Sequence, residues 1–209
     1  MAPVTDSAVT VRPYRPSDHD ALRDICVRTG HVGGDATGHF QDPEILPALF
    51  ASPYAALVPD LVFVADDGTR PLGYVLGAAD STRFYARFRE RWLPTVAGRF
   101  PAPDGPPQTP DERLRDLLHH AERMLVPEFA EEYPAHLHID LLPHGQGRGL
   151  GRRLMETYLA ALRNRGVPGV HLGMNPENTG ARAFYDRLGF HELAPPDPGH
   201  PTLYLARRL

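Results

Sequence analysis

Four glycines in seven residues, Gly145-Gln146-Gly147-Arg148-Gly149-Leu150-Gly151, stand between an alternating apolar run and an amphipathic stretch that opens Arg152-Arg153-Leu154-Met155. Such a segment favours neither strand nor helix by propensity, so the chain must turn sharply here from one into the other. Glycines let a ligand approach the backbone closely. The N–H groups left unpaired at a helix start face that ligand with the positive end of the macrodipole behind them. A pyrophosphate suits that arrangement. Residues 146–165 carry five arginines, Arg148, Arg152, Arg153, Arg163 and Arg165, against one acid, Glu156, so an anionic ligand is the natural partner. A glycine-rich turn can equally be only a tight connection, and further context has to decide between the two.

Two familiar phosphate binders are excluded. A dinucleotide fingerprint needs glycine at its first, third and sixth positions, yet counting from Gly145 the sixth is Leu150, and from Gly147 it is Arg152. All 22 cations are arginine and the chain has no lysine, which rules out a phosphate-loop NTPase lysine and a Schiff base. A formal net charge of -4 argues against duplex nucleic acid as the partner. No run of 18 apolar residues occurs, and the first residues lack a basic start and an apolar stretch. Neither a membrane partner nor a secretory signal is therefore expected. The single cysteine, Cys26, cannot form an internal disulfide or a thiolate cluster, and a cytoplasmic location is the expectation.

With 42% hydrophobic residues the 209-residue chain can close a core, and one domain over residues 1–209 is expected. Residues 9–13 read as a strand, Ser17 as the cap of a helix to Arg28, and Gly30 as its C-cap. Gly33, Gly34 and Gly38 make a loop, and Asp42-Pro43 opens a short helix to Phe50. Strands over 61–65 and 72–78 flank the hairpin signal Asp66-Asp67-Gly68-Thr69. Residues 81–134 look like an insertion, aromatic and arginine-rich at first, then proline-rich, then helical over 111–124. Such a segment makes a weak core alone and is expected to pack on the main one. A regular pattern follows: strand 136–142, the glycine turn, a helix to about Arg165, strand 170–174, helix 179–188, and strands 190–194 and 202–206.

The missing context comes from Asn178-Thr179-Gly180-Ala181-Arg182-Ala183-Phe184-Tyr185, continuing to Gly189-Phe190. With Gln146-x-x-Gly149-x-Gly151 and the preceding Leu141-Leu142-Pro143, this block resembles the GCN5-related N-acetyltransferase (GNAT) superfamily. A narrower resemblance spans most of the chain. Arg91-Trp92-Leu93-Pro94, Arg99-Phe100-Pro101 and the run from Leu125 to Pro134 look like the acetyltransferase-like C-terminal domain of O-GlcNAcase and its stand-alone bacterial relatives. This chain keeps glycines that the animal domain has degraded.

The resemblance implies an α/β GNAT fold, a mixed and mostly antiparallel sheet with one splayed parallel strand pair and helices on both faces. It implies acetyl-CoA as cosubstrate, with no metal. The pyrophosphate would meet the N–H groups of Gly147, Arg148, Gly149, Leu150, Gly151 and Arg152, with Gln146 holding the turn. The pantetheine arm would run beside Leu141 and Leu142, the Leu141 N–H would stabilise an oxyanion, and Asn178 and Tyr185 would complete the cofactor site. Tyr185 would be the general acid toward the thiolate, a transfer uphill by roughly 2 kcal/mol for a phenol of ordinary pKa. Helix capping by Asn178 and core packing of Tyr185 are the plainer readings of those two residues.

An amine acceptor, peptide or small molecule, must lose a proton. Strand alternation sets Leu137, Ile139 and Leu141 on one face and His136, His138 and Asp140 on the other. Asp140 is the first candidate base and His138 the second; alternatively these polar residues only bond the insertion. His136-x-His138-x-Asp140 also opens a metallo-hydrolase ligand pattern, although the metallo-β-lactamase version needs a further histidine where Leu141 stands. A non-catalytic acetyl-CoA-binding module is the other alternative to an acyltransferase.

Overall fold

The computed structural model describes residues 9–195 and 201–209. Its frame is a seven-stranded sheet built from β1 (Thr10–Pro13), β2 (Val62–Asp66), β3 (Pro71–Ala78), β4 (Ala135–Leu141), β5 (Gly169–Met174), β6 (His191–Leu193) and β7 (Leu203–Arg208), in the order β1-β2-β3-β4-β5-β7-β6. Every neighbouring pair is antiparallel except β4 and β5. That parallel pair keeps register only at Ala135↔Val170 and His136↔His171, and then the strands part. This is the splayed architecture expected from the sequence.

The two faces of the sheet are covered by different material. On one face α7 (Leu150–Arg163) buries Leu150, Leu154, Met155, Tyr158, Leu159 and Leu162, a helical apolar stripe laid across Val75, Leu137, Val170 and Leu205. Each such side chain contributes about 1.5–3 kcal/mol on leaving water. α8 (Thr179–Arg187) joins the same face through Tyr185. The opposite face, with Val62, Val64, Tyr74 and Leu76, is covered by α1 (His19–Thr29), α2 (Ile45–Phe50) and α3 (Ser52–Leu57). The inserted segment adds α4 (Ser81–Arg87), a single π turn over Phe88–Trp92, α5 (Leu93–Val96) and α6 (Pro110–His119). Phe84, Phe88, Phe100 and Leu118 of this segment lie in one cluster with Leu22 and Ile25 of α1, so the insertion shares its core with the sheet.

Several elements differ from the sequence reading. α1 starts two residues beyond Ser17, because Asp18 is held by Arg12 at 2.7 and 2.9 Å and by the Arg15 N–H at 2.8 Å, and a 3-10 turn occupies Pro16–Asp18. α3 was not anticipated; Ala51 kinks the backbone after α2 and Pro53 fits the first turn of the next helix. The aromatic stretch from Ser81 is helical through Val96, and the expected helix over 111–124 is α6 followed by a 3-10 turn over Ala121–Met124.

Candidate active site

Where β4 leaves β5, the β5-facing edge of β4 is left without a strand. Leu142 N–H bonds back to Leu72 O of β3 at 2.9 Å, and N–H groups alternate along a strand, so those of Ile139 and Leu141 point the other way, into the gap. The gap opens into a cavity of about 650 Å3 lined by Asp140, Leu141, Gln146, Gly149, Asn178 and Tyr185 among others. Gly147, Leu150, Gly151 and Arg152 line it too. Most of the residues singled out from the sequence therefore meet at one concave surface.

The turn into α7 is built for exposure of its amides. Gly147 and Gly149 take left-handed φ values of 72° and 74°, and Gly149 caps α7 in that conformation without a capping side chain. The first helical N–H groups of α7, at Leu150, Gly151 and Arg152, have no carbonyl one turn earlier to bond. Gln146 donates from Nε2 to Leu141 O at 3.0 Å, tying the turn to the end of β4. Gly151 serves a second purpose: a Cβ there would come within 3.2 Å of the Phe184 ring, so its lack of a side chain lets α8 close on the start of α7.

One expected ligand contact is placed differently. Leu142 does not face the gap. Its side chain is buried on the α1 side of the sheet, its N–H is taken by Leu72 and its carbonyl accepts from Gly145 N–H at 2.8 Å, so its N–H is not available to a pantetheine arm. Arg148 is exposed between Gly147 and Gly149, both of which line the cavity.

Asn178 caps α8, its Oδ1 accepting from Ala181 N–H at 3.1 Å, while it also lines the cavity. Tyr185 packs on Phe190 and Phe184, and no described residue hydrogen-bonds its hydroxyl. Burial, and then the charge of Asp140, push its pKa up. It is thus a weaker acid than a free phenol, and the roughly 2 kcal/mol transfer of the sequence argument is too small.

Asp140 and the two histidines share one face of β4, as alternation requires, but their surroundings diverge. Asp140 accepts from the Tyr74 hydroxyl at 2.7 Å and lines the cavity; burial raises its pKa, and the Tyr74 hydrogen bond offsets part of that rise. His136 is sealed. Ser81 Oγ donates to Pro134 O at 2.7 Å, so it accepts from His136 Nδ1–H at 2.8 Å. His136 Nε2 then accepts from Tyr54 OH at 2.8 Å, whose oxygen accepts from His138 Nε2–H at 3.1 Å. Burial depresses both histidines, His138 to about 4, and a ring that resists protonation this strongly is a poor base for an ammonium. Both His136 nitrogens are committed to protein partners, and the described residues contain no group of three His, Cys, Asp or Glu that could hold a metal ion. The bond from His136 to Ser81 is the tie to the insertion that the structural reading anticipated.

Sequence reasoning missed Thr29, the last residue of α1, and Val32 in the loop that follows, which line the cavity beside Gly33. Val32 has φ 51°, rare for a β-branched residue. It also missed Tyr74, whose place opposite Asp140 follows only from the β3–β4 register. The glycines at 33, 34 and 38 were the one available hint of that loop.

A mixed sheet that splays at one parallel pair, with an amide-rich helix start facing the gap, is the architecture that the family resemblance implied. Residues 37–190 match the model of the Acetyltransferase (GNAT) family, and the chain belongs to that family. The crystal structure of SsHAT is 61% identical, with a TM-score of 0.91 over 96% of this chain and 98% of that one. Protein O-GlcNAcase of Rattus norvegicus is 25% identical over 191 residues, 91% of this chain and 21% of the relative, so the chain spans about a fifth of that enzyme's length. The structure of yncA from Salmonella typhimurium, solved with its cofactor acetyl-CoA, shares the fold at a TM-score of 0.54 and 15% identity, over 96% of this chain and 94% of that one.

Proposed function

We propose that this protein is an N-acetyltransferase that passes an acetyl group from acetyl-CoA directly to an amine held in the same cleft. The observation that carries the reading is the continuity of the cavity from the start of α7, past the unpaired edge of β4, to Asp140 and Tyr185. The donor set fits the cosubstrate: amides and a helix N-terminus suit a diphosphate, and a free strand edge suits the amides of a pantetheine arm. Bound there, acetyl-CoA would supply the acetyl thioester.

The chain's own residues divide the remaining work. Leu141 N–H is the group on the strand edge able to hold the thioester oxygen as negative charge grows on it. Asp140, with its raised pKa, takes a proton from the acceptor ammonium directly or through water. Tyr185 holds the sulfur by a hydrogen bond; its elevated pKa makes it a positioning donor more than a full acid. Thr29, Val32 and Gly33 shape the acceptor end.

Thiol release from acetyl-CoA, followed across peptides and small amines, tests this reading. Acceptor-dependent release is expected. Binding of acetyl-CoA without release for any amine would assign the protein to the non-catalytic class, and absence of binding would remove acetyl-CoA altogether.

A further inference from the structure

Thr29 closes α1 beside the cleft, and its hydroxyl has one proton with two places to put it. The side chain is buried and lines the same cavity as Asp140. Its Oγ1 bonds Ile25 O one turn back at 2.7 Å, an ordinary arrangement for a threonine in a helix. The same hydroxyl also reaches the Asp140 carboxyl. Tyr74 is placed otherwise. Its hydroxyl donates to Asp140 Oδ2 at 2.7 Å from a fully buried ring on β3, and the Cys26 thiol of α1 is its other partner. Tyr185 of α8 also feels the charge of Asp140, and His138 stands two residues back on the same face of β4. Burial keeps Cys26, Tyr74 and Tyr185 protonated and His138 neutral, so none of these neighbours is charged at neutral pH. Among the described residues Asp140 has hydroxyl partners and no ion pair.

A base that takes a proton from an ammonium has to be held in two states, carboxylate before and acid after. The carboxylate only accepts, whereas the acid donates from one oxygen and needs an acceptor for that proton. A partner able only to donate serves the first state and leaves the second unpaired. We infer that Tyr74 and Thr29 are positioning residues that share this task unequally. Tyr74 donates to Oδ2 throughout, while the Thr29 hydroxyl reverses: it donates to the carboxylate, then swings its proton to Ile25 O and accepts from the acid. The inference rests on the proposed base role of Asp140 and deepens it. The acceptor nitrogen keeps its electron pair, its proton forms an O–H bond on Asp140, and Thr29 turns without gaining or losing a proton. Ile25 O makes the reversal cheap, since neither orientation leaves the hydroxyl proton unbonded.

Carbon NMR of the Asp140 carboxyl and of the Ile25 backbone carbonyl, followed against pH in the protein alone, tests the reversal. The Asp140 signal is the one missing from Asp140→Asn. In wild type both signals should move with one midpoint, because the Thr29 proton arrives on Ile25 O as Asp140 is protonated. A hydrogen bond to a carboxylate outweighs one from an acid, so Thr29→Val should raise the Asp140 midpoint by about one pH unit. It should also abolish the step at Ile25, and Thr29→Ser should restore both. Tyr74→Phe should raise the Asp140 midpoint by about one pH unit too, with the Ile25 step following it. An Ile25 carbonyl that ignores the Asp140 titration in wild type overturns the reversal, as does a midpoint that Thr29→Val leaves in place. Thr29 is then only a back-bonded helix end. Neither signal needs an acceptor amine, so that failure is separate from failure of the base reading, which the turnover of Asp140→Asn decides.

Discussion

Asp140 and His136 stand four residues apart on the same face of the same strand, and the structure gives them opposite surroundings. His136 lies where β4 still pairs with β5; both of its ring nitrogens are used within the protein and it is buried. Asp140 lies past the divergence, is hydrogen-bonded by Tyr74 and Thr29, and opens on the cavity. Residue type does not separate a structural polar group from a chemical one here. Position along the splay does, because the missing neighbour strand leaves solvent, ligand and proton traffic at one end of β4 only.

Asp140→Asn attacks the chemical end. The amide oxygen still accepts from Tyr74, so the melting temperature at neutral pH should be kept or slightly raised, while turnover by thiol release falls about 10²–10⁴-fold. Turnover unchanged in a folded variant would remove Asp140 from the base role. His136→Ala attacks the sealed end. It leaves a cavity and unpaired hydroxyls at Tyr54 and Ser81, and chemical denaturation should report a loss of about 3 kcal/mol with turnover within a few-fold of wild type.

Acid should sharpen the same contrast. His136 and His138 have depressed folded-state pKa values, so below the unfolded value of about 6.5 the unfolded chain binds their protons more readily than the folded one. The stability they contribute is present above that pH and is lost as pH falls toward about 4, on the order of 3 kcal/mol for His138 alone. Asp140 shifts the other way. Its raised pKa means turnover should climb with pH through a value above the usual carboxylate range, and Asp140→Asn should flatten that limb. Tyr54→Phe gives a smaller effect. Removing the hydroxyl that joins the two histidines should cost about 1–2 kcal/mol of stability in a urea melt, with little change in acetyl-CoA affinity. A tenfold loss of affinity would mean that the sealed end reaches the cofactor.

The strand that carries this contrast was legible in the sequence, as were the glycine turn, α7, β5 and α8. Each has a clear alternating or helical period between residues 136 and 188, and the face assignment of His136, His138 and Asp140 follows from alternation alone. The partners were not legible. Tyr74, Tyr54 and Ser81 come from 55 to 84 residues upstream and reach β4 only through the β3–β4 register and the docking of α3 and α4. Leu142 misled because it follows the strand directly. A polar or apolar period cannot report that its N–H turns back to Leu72. Within the insertion, Pro94 and closely spaced arginines hid the helices of residues 81–96, whose Phe84 and Phe88 pack into the cluster that holds α1 and α3.

Amide hydrogen exchange with and without acetyl-CoA addresses the central claim, that the parted edge of β4 and the start of α7 form one binding surface. Slowed exchange at Ile139, Leu141 and residues 147–152, with the His136 end of β4 unchanged, is the predicted pattern. Protection confined to other segments, or none at saturating acetyl-CoA, would contradict it.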